Sequence, residues 1–136
     1  MEEELRACGW EHLPAEGMIA HLGGLWRRMD NGQAEIGFIA REFHLNRNGV
    51  VHGGMMMTVV DRAFGIAARD EAGVETSATI SLSHQFLTPL QAGRFASVIP
   101  RVVRTTSRLA FLEGTLMSEG VPILQAQGVW RLIRTP

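Results

Sequence analysis

The chain has 136 residues, enough for one domain that buries roughly two thirds of its unfolded surface. A net charge of -1 gives no basic field for nucleic acid or membrane, and the single cysteine, Cys8, excludes an internal disulfide framework and a multi-cysteine metal site. Only 20% of residues are charged against 46% hydrophobic, a balance that points to some surface buried in an oligomer.

Met1 to Ala20 is weakly patterned. MEEEL can open a short helix with its acids at the favourable end, before Pro14 and Gly17 break the pattern. The start is acidic where a secretory leader is basic, and no apolar run reaches the length of a membrane span, so a cytoplasmic setting is expected. Residues 1–20 read as an N-terminal extension or short helix, and 21–136 as a single domain. Asn31-Gly32 signals a type I′ hairpin between strands at about 22–29 and 34–41. Phe43 to Val51 has no period and reads as a loop.

From Gly53 the spacing becomes helical and continues to near Asp70, with Gly73 as the stop. Gly54, Thr58, Asp61, Gly65 and Ala68 share one stripe, small wherever it is not acidic. A neighbouring backbone can approach closely along it, with Asp61 facing that neighbour. Four strand-like segments follow: TSATISLSHQF, ASVIPRVV with Pro100 marking an irregularity or edge, RLAFLEGTLM and ILQAQGVWRLI. One long helix and about six strands predict an α+β domain, an antiparallel sheet wrapped around a central helix, with sheets joined between copies.

Candidate chemistry centres on RNGVVHGGMMMTVVDRAFG. His52, Gly53 and Gly54 stand at a helix N-terminus, where free N–H groups can receive an oxyanion; the same glycines equally serve a tightly packed helix start. Asp61 suits a general base toward water or a nucleophile toward an acyl carbon, with a salt bridge to Arg62 or Arg69 as the ordinary alternative. Asn46 can hold a carbonyl or a water, or cap its own loop. Thr79 can support Asp61 or pair across strands, but its parity opposes Ile80 and Leu82, so it reaches the site only if the sheet curves or ends there. His84 reads as a satisfied core or interface histidine. Met55, Met56 and Met57 read as adaptable packing or, with Phe64, the wall of an acyl or aryl pocket. Arg101, Arg104 and Arg108 form a phosphate patch or a solvated rim. No metal-ligand motif, nucleophile elbow, phosphate loop or dinucleotide fingerprint occurs, which disfavours metal binding.

HLNRNGVVHGGMMMTVVDRAFG, SLSHQFLTPLQAG, VVRTTSRLAFLEGTL and ILQAQGVW together resemble the hotdog-fold acyl-CoA thioesterases, in particular the phenylacetate-pathway (PaaI-like) subgroup, over nearly everything from Leu22 onward. The resemblance implies a hotdog domain over 21–136 that hydrolyses an acyl-CoA or aryl-CoA thioester. It implies Asp61 as the carboxylate that activates water or attacks the thioester, and the Gly53 N–H, after His52, as the group that polarises the carbonyl. Asn46 would hold the thioester or the water, and Thr79 would assist the carboxylate. Asp61 and Thr79 would come from one subunit of a homodimer and Asn46 and Gly53 from the other, with a dimer of dimers common among relatives. Gly54, Arg104 and Arg108 become candidates for contacts to coenzyme A, which is part of the substrate rather than a separate cofactor. Two rivals stand beside this reading. A hotdog hydratase or dehydratase would need a His–acid pair that is not obvious here, and a non-catalytic acyl-CoA-binding module would keep the groove without needing Asp61. A nucleic-acid-binding reading lacks a basic face with interleaved aromatics.

Overall fold

Asn31 and Gly32 both take positive φ, 50° and 79°, as a type I′ turn requires, and close the first hairpin where the sequence predicts it. The computed structural model describes residues 1–135. In chain order it contains α1 (Glu2–Ala7), β1 (Glu11–His12), α2 (Gly17–His21), β2 (Trp26–Asp30), β3 (Gln33–Ile39) and a 3-10 turn (Glu42–His44). Then come α3 (Gly53–Ala72), β4 (Thr76–Phe86), β5 (Phe95–Val98), β6 (Arg101–Thr105), β7 (Leu109–Ser118) and β8 (Val121–Ile133). β2 starts later than the hydrophobic pattern suggests because Gly23 and Gly24 sit at φ of 98° and 77°, outside the strand region.

All strand pairings are antiparallel, in the order β1-β2-β3-β5-β7-β8-β4, with β6 on β7. The α+β hotdog arrangement holds, one long helix against one large sheet. Its eight strands exceed the expected six or so. One addition is the two-residue β1; the other arises because ASVIPRVV is split at Ile99-Pro100. Proline has no N–H for the ladder, and the chain shifts there from β5, which pairs with β3, to β6, which pairs with β7.

α3 is the centre of the main core. Val59, Val60, Ala63 and Phe64 are fully buried against Ile36 and Phe38 of β3, Leu112 and Leu116 of β7, and Leu124 and Trp130 of β8. Burial of each large side chain here stabilises by about 1.5–3 kcal/mol. Phe64 meets Trp130 edge-on at 5.5 Å, which places it inside the core and not on the wall of an acyl pocket. Met55 and Met56 are likewise core residues, and Met57 is exposed.

Residues 1–20 are packed onto the domain. Leu5 and Trp10 form a second cluster with Trp26 and Ile39, residues on the sheet face opposite α3. The Arg6 guanidinium lies 5.0 Å over the Trp26 ring and that of Arg28 4.7 Å over Trp10. Among the described residues no helix is long and apolar enough to cross a membrane.

β4 is an edge strand: it pairs with β8 along one side only. Its eleven residues contain no charge and no proline, the usual devices that blunt an open edge.

His44 fixes the connection between β3 and α3. Its Nδ1 accepts the Arg41 N–H at 2.9 Å, and its Nε2–H donates to the Leu22 carbonyl at 2.7 Å. Its own carbonyl accepts the His52 N–H at 2.8 Å, tying down the residue before α3. Burial pushes the imidazole below its usual pKa; the Leu22 carbonyl opposes this and the Arg41 charge adds to it. Folded His44 therefore stays neutral where the unfolded chain protonates. Stability from this group is whole above about pH 6.5 and declines as pH falls below it, by at most about 1.4 kcal/mol per pH unit. Urea unfolding between pH 7 and 5.5 should show that decline. His44→Gln should be less stable at pH 7 and have a flatter pH dependence.

Candidate active site

Alternation along β4 turns over at one residue. Thr79 pairs with Trp130 and Ser81 with Val129, so Ile80 is the extra residue of a β-bulge. Before the bulge, Ser77 and Thr79 point at α3; after it, Leu82 and His84 do, while Ile80 is turned outward and 57% exposed. The expected conflict of parity is thereby resolved. Both Thr79 and Leu82 face the helix, and the sheet neither ends nor needs sharp curvature. Gly128 on β8 makes room: a Cβ there would lie 2.5 Å from the Ser81 carbonyl oxygen.

The result is a hydrogen bond from Thr79 Oγ1 to Asp61 Oδ1 of 2.5 Å. Asp61 is half-buried, and no salt bridge to it forms among the described residues. Arg62 points away, and Arg69 donates instead to Ser77 Oγ at 3.3 Å. The carboxylate thus has one neutral donor holding one oxygen, and its other oxygen is free to act on something outside the chain.

The start of α3 divides its N–H groups. His52 caps the helix, its Nδ1 accepting the Gly54 N–H at 2.8 Å. The Gly54 N–H is therefore already engaged. The Gly53 N–H has no acceptor among the described residues and lies at the positive end of a twenty-residue helix. The Phe86 ring lies against Gly53; a Cβ at that position would be 3.0 Å from Phe86 Cε1. Only a residue without a side chain keeps backbone and ring this close.

Asn46 caps its own loop. Its Oδ1 accepts the N–H of Asn48 at 2.9 Å and of Val50 at 3.4 Å, which leaves the amide NH₂ as its available donor. Gly53 and Asp61 are eight residues apart on α3, roughly 12 Å along its axis. The fold therefore brings together Asp61 with Thr79, and His52 with Gly53 and Gly54, but it holds these two groups apart along α3 within one chain.

His84 is not satisfied within one chain, which sets aside the core alternative and leaves the interface one open. Its Nε2 is buried without a partner among the described residues, and its ring is nearly parallel to Phe86 at 6.3 Å. Burial lowers its pKa, and the nearby Asp61 charge opposes that.

The arginines regroup. Arg101 pairs with Glu113, and Arg104 is exposed on β6 opposite Phe111. Arg108 instead shares an open cleft at the turn between β6 and β7 with Arg131 and Arg134, whose Nε donates to the Ser107 carbonyl at 3.0 Å. Arg131 and Arg134 escape a reading by sequence proximity, because only the pairing of β8 beside β7 brings them to Arg108.

Residues 48–123 match the thioesterase superfamily. A Saccharolobus solfataricus protein named "Putative esterase SSO2140" is 26% identical over 136 residues, covering 99% of this chain and 96% of its own. Among solved structures, zebra fish thioesterase superfamily member 2 superposes with a TM-score of 0.77 at 23% identity, covering 88% of each chain. A mutant form of the phenylacetic acid degradation protein PaaI of Thermus thermophilus superposes at 0.69 with 21% identity, over 96% of this chain and 99% of that one. The BH2602 protein of Bacillus halodurans, solved with CoA, superposes at 0.73 with 17% identity, over 81% of this chain and 74% of that one.

Gly128→Ala should force the bulge to shift and cost roughly 1–3 kcal/mol in urea unfolding, the scale of an overpacked site. Thr79→Val should leave stability within about 1 kcal/mol, since it removes one half-exposed hydrogen bond.

Proposed function

The chain belongs to the thioesterase superfamily, and from that membership we propose that it hydrolyses an acyl-CoA or aryl-CoA thioester to a free acid and coenzyme A. The observation that carries this reading is Asp61: a carboxylate on the central helix, oriented by Thr79 and paired with no cation among the described residues. A carboxylate so held suits removal of a proton from water, or attack on the acyl carbon to give an anhydride that water then opens. In either route negative charge develops on the thioester oxygen. The free Gly53 N–H at the helix N-terminus is suited to receive it.

Two copies would satisfy the geometry that one chain does not. Asp61 and Thr79 of one copy would meet Gly53 and the Asn46 amide of another in a homodimer joined along the uncharged β4 edge. Arg108, with Arg131 and Arg134, offers the charge to hold the phosphates of coenzyme A; Arg104, outside that cleft, is the weaker candidate. A hydratase is less well supported. His84 lies near Asp61, but it presents no hydrogen bond to that carboxylate, and burial favours its neutral form.

Free-thiol release from a panel of acyl- and aryl-CoAs tests the reading. Asp61→Asn should lower kcat/KM by about 10²-fold or more; no turnover of any ester by folded wild-type protein would overturn it for that panel. Asn46→Asp keeps the loop-capping oxygen and loses the donor, so it too should be inactive. Mixing Asp61→Asn chains with Asn46→Asp chains should restore about a quarter of wild-type activity, because half of randomly paired dimers regain one intact site. Arg108→Ala should raise KM several-fold with kcat little changed.

A further inference from the structure

A cavity of about 220 Å³ is lined by residues of α3, β2 and the N-terminal segment. Leu13, Leu25 and Ile66 give it apolar walls, and three arginines, Arg27, Arg62 and Arg69, line it beside them. No carboxylate lines it among the described residues. The nearby Asp70 touches only an outer nitrogen of Arg27, at 3.5 Å. Arg27 Nε is buried with no partner among the described residues. Arg69 has a neutral acceptor, Ser77 Oγ, and its pKa is pushed down by burial and further by the charge of Arg62, with the charge of Asp70 opposing both. Three cations around an apolar pocket, one with an orphaned buried N–H, are poorly satisfied by the chain itself.

We infer that this cavity binds a small carboxylate with an apolar tail, of the size of an arylacetic or short-chain alkanoic acid. The guanidinium fork matches a carboxylate in geometry as well as charge. The apolar walls reward a tail, and the volume lies below the roughly 300 Å³ at which drug-sized ligand pockets begin. A free acid released from a thioester falls in this class, yet the inference stands on the cavity alone and does not depend on Asp61 being catalytic.

Hexanoate titrated into ¹⁵N-labelled full-length protein tests it, with hexanamide and inorganic phosphate as comparison ligands. Hexanoate should shift the amides of Leu25, Ile66 and Arg69, and should do so equally in Asp61→Asn. Arg62→Gln, at an exposed position whose loss leaves the core intact, should weaken that binding about tenfold or more, as should Arg69→Gln. Hexanamide and phosphate should each bind at least tenfold more weakly than hexanoate. The inference is overturned if hexanoate leaves those amides unmoved, if either comparison ligand binds as well, or if both arginine variants bind hexanoate like the wild type.

Discussion

One inserted residue, Ile80, determines what the central helix meets. Without the bulge, alternation along β4 would let either Thr79 or Leu82 face α3, but not both. With it, the first half of the strand presents hydroxyls, Ser77 to Arg69 and Thr79 to Asp61, and the second half presents Leu82 and His84. A polar stretch and an apolar stretch of the same helix are thus served by one strand. The absence of a side chain at Gly128 is part of the same device, since the displaced Ser81 carbonyl occupies the space a Cβ would need. Asp61 is tolerated mid-helix because the bulge supplies its donor.

The other end of the site depends on how backbone N–H groups are shared out. His44 anchors the loop to Leu22 and Arg41 and receives the His52 N–H, so the residue ahead of α3 has little freedom. His52 then commits its imidazole nitrogen to Gly54, two residues ahead. Of the two glycine N–H groups, one is satisfied internally and one is left outward. The pair of glycines looks redundant in the sequence, but the two positions do different things: Gly54 lies under the capping ring, and Gly53 lies under Phe86.

Much of the architecture was legible because it rests on local signals. Asn31-Gly32 fixed the first hairpin, the 3.6-residue period announced α3 up to Gly73, and alternation marked the later strands. Asp61 stood out because a carboxylate on a stripe of small residues has few ordinary explanations. What escaped depended on pairing across the sheet. A bulge leaves no mark in the alternation of TSATISLSHQF, so parity sets Thr79 against Leu82 although both face α3, and the residues alone left support of Asp61 and cross-strand pairing equally open. Arg131 and Arg134 are far from Arg108 in sequence and adjacent only through β7–β8 pairing. Residues 1–20 looked unpatterned because their apolar groups, Leu5 and Trp10, are anchored singly to a remote surface and not spaced along an element face.

The bare edge of β4 bears on how a chain tells its own kind from its kin. A backbone ladder carries no sequence information: any strand of suitable length offers the same row of N–H and C=O groups. With no charge on Thr76–Phe86 to repel a wrong partner, discrimination falls to the side chains that protrude beside that edge, Ile80 above all. If the proposed homodimer forms along β4, a change at that outward isoleucine, in a cell that holds several members of one superfamily, would alter which chains associate before it altered how any of them folds.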